Sequence, residues 1–142
     1  MIFNKEKYLS QLDENQLFQL MKGYYPDLID LNEKDKYSPV DWYSEKENYY
    51  FESKCRSKDY PNIVIEKNKW DSMVKIGNCY YVCSFPRGIY MVEIPKTPEP
   101  VWGENWMRRS TFYSGEERIS KTSGFIRFED TIQLDHLLFK QF

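Results

Sequence analysis

The sequence predicts one α/β domain, and three observations carry that expectation. A helical hydrophobic pattern opens the chain, aromatic and β-branched runs separated by polar turns follow it, and a second helical pattern interrupts those runs. The 142 residues suffice to bury a single core. With 12 Tyr, 9 Phe and 4 Trp, the chain carries enough large apolar rings to offset the entropy of ordering its backbone, which excludes a disordered class.

In the opening segment, residues 5–22, Tyr8, Leu9, Leu12, Leu17, Leu20 and Met21 recur at roughly helical spacing, and Gly23 supplies a stop. Tyr24–Leu31 reads as a first strand and residues 32–37 as a polar loop. Val40–Ser44 and Tyr49–Cys55 read as strands joined by the hairpin-length connection Glu45–Asn48. Alternation in the second of these puts Tyr50, Glu52 and Lys54 on one face, with Phe51, Ser53 and Cys55 on the other. Pro61 and Asn62 open a helix expected over Ile63–Lys75, with Gly77 just past its end. Cys79–Phe85 and Ile89–Ile94 are expected strands joined at Pro86-Arg87-Gly88. Pro95–Pro100 is a rigid connector within the same domain. Beyond it, Ser123–Phe128 reads as an added strand or loop and Ile132–Phe139 as a short helix. There is no internal repeat and no low-complexity tract.

The formal net charge of -2 counts mildly against a polyanionic partner, unless the basic residues gather on one face or bound metal restores positive charge locally. The N-terminal residues lack the apolar stretch of a signal peptide and no run is long enough to span a bilayer, so no membrane association and a cytoplasmic, reducing location are expected. Cys55, Cys79 and Cys83 are then free thiols. Cys79 and Cys83 are spaced like half a zinc site, but the one histidine, His136, lies far off in sequence; small core residues on one strand face are the better reading.

Chemistry concentrates in Ser38–Arg56. Asp41 lies on one expected strand and Glu52-Ser53-Lys54 on its neighbour, so the two carboxylates come within reach of each other while Lys54 stands beside Glu52. Two carboxylates and a strand carbonyl make a hard oxygen site suited to Mg²⁺ or Mn²⁺. Phosphodiester hydrolysis needs such an ion to polarise the phosphate and acidify water, and a lysine to stabilise developing charge.

Pro39-Val40-Asp41 followed by Glu52-Ser53-Lys54 resembles the signature of the PD-(D/E)xK, or restriction-endonuclease-like, nuclease superfamily, with Val40 inserted between the Pro and the Asp. The resemblance implies an α-β-β-β-α-β core over about 5–94, with a central mixed sheet flanked by helices, and leaves a C-terminal β-rich extension over about 95–142. It implies a metal-dependent nuclease acting on DNA. Asp41 and Glu52 would bind Mg²⁺ or Mn²⁺, Lys54 would assist catalysis, and the Ser53 carbonyl would be a further metal ligand. Holliday-junction resolvases and small phage-encoded nucleases are similar in two more respects: an acid on the first helix, here Glu14, and a helix beside the site whose Lys67 and Lys69 would meet phosphates. Arg56 is a further candidate nucleic-acid contact. Branched or structured DNA as substrate, a homodimer, and a bacterial host's cytoplasm for a phage-encoded chain complete the expectation.

Trp102, Trp106, Arg108 and Arg109 admit two readings, base stacking with phosphate grip, or a hydrophobic anchor closing the extension against the core; the anchor is favoured. His136 has no matched nucleophile for a hydrolytic triad, and glycine-rich phosphate loops are absent. The competing functional reading is a non-catalytic module on the same fold that binds nucleic acid or protein.

Overall fold

Residues 3–108 and 118–134 are described by a computed structural model. The opening helical pattern forms two helices, α1 (Lys5–Ser10) and α2 (Glu14–Tyr24), rather than one. Asp13 makes the break. Its side chain accepts the Gln16 N–H at 2.8 Å while the Gln16 side chain accepts the Asp13 N–H at 2.9 Å, a reciprocal cap that starts a new helix. Gly23 consequently lies inside α2, not past its end. The strand expected over Tyr24–Leu31 contracts to β1 (Ile29–Asp30), because Tyr24 still belongs to α2 and Pro26 has no N–H to give a ladder. A single 3₁₀ turn, Leu31–Glu33, follows.

β2 (Trp42–Ser44) and β3 (Tyr49–Cys55) form the expected antiparallel hairpin, with Trp42 opposite Phe51 and Asn48 in the left-handed region at φ 54°. Ile63–Glu66 is a strand, β4, where helix was expected. Its β-branched alternation buries Ile63 and Ile65 and leaves Val64 and Glu66 half-buried. The helix α3 (Lys67–Ile76) starts only after it and ends at Gly77, whose φ of 94° suits glycine. β5 (Cys79–Phe85) and β6 (Gly88–Glu93) follow as expected. The extension supplies the hairpin β7 (Gly103–Arg108) and β8 (Arg118–Ile126), then β9 (Ile132–Gln133). The C-terminal helix expected from Ile132 therefore starts as a strand, held to β6 and followed by the Leu134 N–H donating to the Ile89 carbonyl at 2.8 Å. The rest of that segment lies outside the described residues.

The architecture is mixed α/β. Six strands form one sheet in the order β1-β2-β3-β5-β6-β9, antiparallel except for the parallel pair β3–β5. A second, antiparallel sheet has the order β4-β8-β7. On one face of the large sheet, Leu9, Leu17 and Met21 of α1 and α2 pack with Phe51, Val82 and Met91. On the other, Trp70 and Met73 of α3 and Ile63, Ile65 and Ile126 of the small sheet pack with Cys83, Phe85 and Val92. Strands β5 and β6 are covered on both sides, which explains their nearly unbroken apolar sequence. Cys79 and Cys83 are fully buried core thiols and Cys55 is partly exposed. Among the described residues, no helix is long and apolar enough to cross a membrane.

Candidate active site

The β2–β3 ladder runs one residue past β2: the Asp41 N–H donates to the Phe51 carbonyl at 3.0 Å, which sets Asp41 across from Glu52. Beyond that point β3 has no strand neighbour on the β2 side among the described residues. The Asp41 carboxylate takes the next free donor there, accepting the Ser53 N–H at 2.9 Å, and the Ser53 hydroxyl lies 2.9 Å from the same oxygen. Asn32 Nδ2 donates to the other Asp41 oxygen at 2.9 Å. The Ser53 N–H and Asn32 Nδ2 are committed to this carboxylate, whereas the single Ser53 hydroxyl proton serves either Asp41 or Glu14.

Alternation on β3 is fixed by its hydrogen bonds. The N–H groups of Tyr50 and Arg56 donate to Asn78 and Ser84 of the β5 side, each at 2.9 Å, so even-numbered residues hydrogen-bond toward β5 and odd-numbered ones toward β2. The Ser53 carbonyl is thereby directed past the end of β2, beside Asp41. Glu52 is 6 % exposed, and burial first, then its hydrogen bond with Asp41 and the like charge there, push its carboxyl up to about 8. The opposing influence is Lys69, whose Nζ stands 3.7 Å from Glu52 Oε2.

Glu14, in the first turn of α2, is exposed as a residue but turns its carboxyl inward, 3.4 Å from the Ser53 hydroxyl. Burial and the Asp41 charge raise its pKa, against the hydrogen bond from Ser53 and the charges of Lys54 and Lys69. Asp41, Glu52, Ser53, Lys54, Glu14 and Lys69 thus converge, although α2, the hairpin and α3 supply them separately. All of these but Asp41, which lies behind Ser53 and Glu52, border a cleft of about 140 Å³ whose further walls are Arg56, Val64, Glu66 and Tyr81. The chemistry on offer is a buried acid, Glu52, beside a half-buried one, Asp41, an adjacent strand carbonyl and a rim of cations. Among the described residues, no group of three or more His, Cys, Asp or Glu side chains is arranged to hold a metal ion.

Lys67 stands apart from the cleft. It pairs with Asp71 at 2.8 Å and its Nζ lies 5.8 Å over the Trp102 ring. Trp102 itself packs edge-on against Trp70, with ring centroids 6.1 Å apart, and so anchors the extension to the core. The side chains of Trp106 and Arg108, and all of Arg109 and His136, lie outside the described residues. Asn32, Glu66 and Tyr81 were missed by the sequence reading. Asn32 carried no local signal, being one polar residue in a polar loop, and Glu66 was assigned to a helix that begins one residue later.

No family model, curated protein or solved structure matches this chain.

Proposed function

We propose that the chain is a metal-dependent nuclease of the PD-(D/E)xK kind, hydrolysing phosphodiester bonds of DNA at Asp41, Glu52 and Lys54. One observation carries the reading: the buried Glu52 carboxylate is held against Asp41 across a hairpin, with Lys54 two residues along the same strand. The order α2, β1, β2, β3, α3, β5 and the parallel β3–β5 pairing support it, with β4 as an insertion before the helix.

The donor set fits a hard divalent ion, Mg²⁺ or Mn²⁺. Asp41 and Glu52, with the Ser53 carbonyl directed beside them, would hold it, and Glu14 would add an acid from α2. A carboxyl raised to about 8 by burial, and further by a second acid, is in a place that gains from a cation. When bound, the ion supplies polarisation of the phosphate and a water acidic enough to attack near neutral pH. The chain's own residues do the rest. Asn32 and Ser53 hold Asp41 in place, Lys54 stabilises negative charge developing on phosphate, and Lys69 neutralises the cleft's acids.

The Lys69–Glu52 ion pair also favours a second reading, a non-catalytic nucleic-acid- or protein-binding module in which lysine has taken the cation's place. Cleavage of labelled linear duplex, single-stranded and branched DNA in Mg²⁺, Mn²⁺ or EDTA, comparing wild type with Glu52→Ala, decides between the two. Metal-dependent cutting lost in the variant establishes the nuclease. A folded wild type that cuts none of these DNAs leaves the binding module.

A further inference from the structure

We propose that Arg56 forms a second phosphate subsite, gripping the substrate phosphate one nucleotide away from the phosphate met by Lys54. The inference rests on the nuclease reading above and specifies how the cleft engages its substrate. Glu52, Lys54 and Arg56 form a row on one face of the same extended backbone, because the Arg56 N–H continues the β3–β5 pairing by donating to the Ser84 carbonyl at 2.9 Å. All three line the cleft.

The guanidinium is prepared for an anion. Its Cζ lies 5.5 Å from the Tyr60 ring, which steadies one face of the fork. Its Nε is buried without a hydrogen-bond partner among the described residues. A buried donor left unpaired is costly, so a shift of the guanidinium toward an acceptor entering the cleft relieves that cost. The neighbouring cations differ in this respect: Lys69 is paired with Glu52 and Lys121 with Glu66, whereas none of the ion pairs among the described residues includes Arg56. Arginine stays charged at any working pH, and its planar fork matches two phosphate oxygens.

Spacing selects the ligand. Two residues along a strand advance roughly 6.6 Å, so Lys54 and Arg56 are separated by about one nucleotide step of an extended DNA strand. Adjacent phosphates of one strand can therefore meet the two side chains at once, which a lone phosphate ion cannot.

The test uses oligonucleotides carrying a single methylphosphonate, an uncharged linkage, walked across the cleavage position in Mg²⁺ with wild type and Arg56→Gln. In wild type, a neutral linkage immediately beside the scissile one, on one side only, is expected to slow cutting roughly tenfold or more. In Arg56→Gln that sensitivity should shrink to about twofold, because the missing charge has lost its partner. Should circular dichroism find Arg56→Gln unfolded, Arg56→Lys, with the charge but not the fork, should give an intermediate sensitivity. Undiminished sensitivity in the folded variant overturns the subsite, as does tolerance of neutral linkages on both sides by an active wild type. A wild type that cuts none of the all-phosphate oligonucleotides removes the nuclease reading itself, and the subsite with it.

Discussion

The Asp41 carboxylate accepts the Ser53 N–H at 2.9 Å where the β2–β3 ladder runs out. A side chain there does the work of the next strand residue. It satisfies a backbone donor that β2 is too short to reach, and it fixes an acid beside the Ser53 carbonyl and opposite Glu52.

Glu52 should limit the stability of the metal-free protein. Its carboxyl is raised in the fold to about 8 by burial and by Asp41, so its neutral form is the one the fold favours. The associated stability is full below the unfolded value and is lost as pH rises through about 8. Glu52→Gln removes that loss. In EDTA it should be more stable than wild type at pH 8, by roughly 4 kcal/mol, with the gap closing toward pH 4. Thermal melts at the two pH values check this, and equal melting of the two proteins at pH 8 contradicts the buried-charge account.

Lys54 and Asp41 should separate turnover from metal binding. Lys54→Ala is expected to lower kcat by roughly a hundredfold or more while Mn²⁺ affinity by calorimetry holds. Asp41→Asn should weaken Mn²⁺ itself. Metal affinity that collapses in Lys54→Ala contradicts its assigned role, and unchanged affinity in Asp41→Asn moves that acid out of the site.

Asn32 is expected to act through Asp41. Its Nδ2 donates to an Asp41 oxygen at 2.9 Å, and removing such a supporting donor typically costs about tenfold in metal affinity. Calorimetry of Asn32→Ala should find that loss with little change in melting temperature. A large fall in stability would reassign Asn32 to folding.

Asp13 couples the helix cap to the site. Asp13→Ala should destabilise the protein by about 1 kcal/mol in urea unfolding, because the Gln16 N–H loses its partner. Since Glu14 occupies the first turn of α2, hydrogen exchange should accelerate there before it does in β3. Uniform acceleration through both elements would show that the cap acts only on global stability.

The thiols should be inert in the native state. Burial raises Cys55 to about 11 and both Cys79 and Cys83 to about 12. At pH 8, about one thiolate in a thousand or fewer would be available to a disulfide reagent. All three cysteines should react promptly in guanidinium and slowly without it; rapid native labelling of Cys83 would contradict its position in the core.

Local pattern determined much of this protein. The period of two in Tyr49–Cys55 placed Glu52 and Lys54 on one face, and the bounds of β3 and β5 follow directly from their aromatic and apolar runs. The break at Asp13 was written locally as well, in the spacing of Asp13 and Gln16, yet an uninterrupted apolar stripe hides it. Other features were not local. Ile63–Glu66 suits the end of a strand or the start of a helix, and only its partners from Ser123 to Ile126, remote in sequence, make it a strand. Asn32 reaches Asp41 because β1 pairs with β2, and Glu14 reaches Ser53 and Lys69 reaches Glu52 only because α2 and α3 dock on opposite faces of one sheet. The sequence by itself determined which backbone periods form and which side chains share a strand face, because those depend on neighbours within a few residues. Tertiary structure alone decided which acids and cations converge, because that convergence is set by burial of apolar faces between elements far apart in the chain.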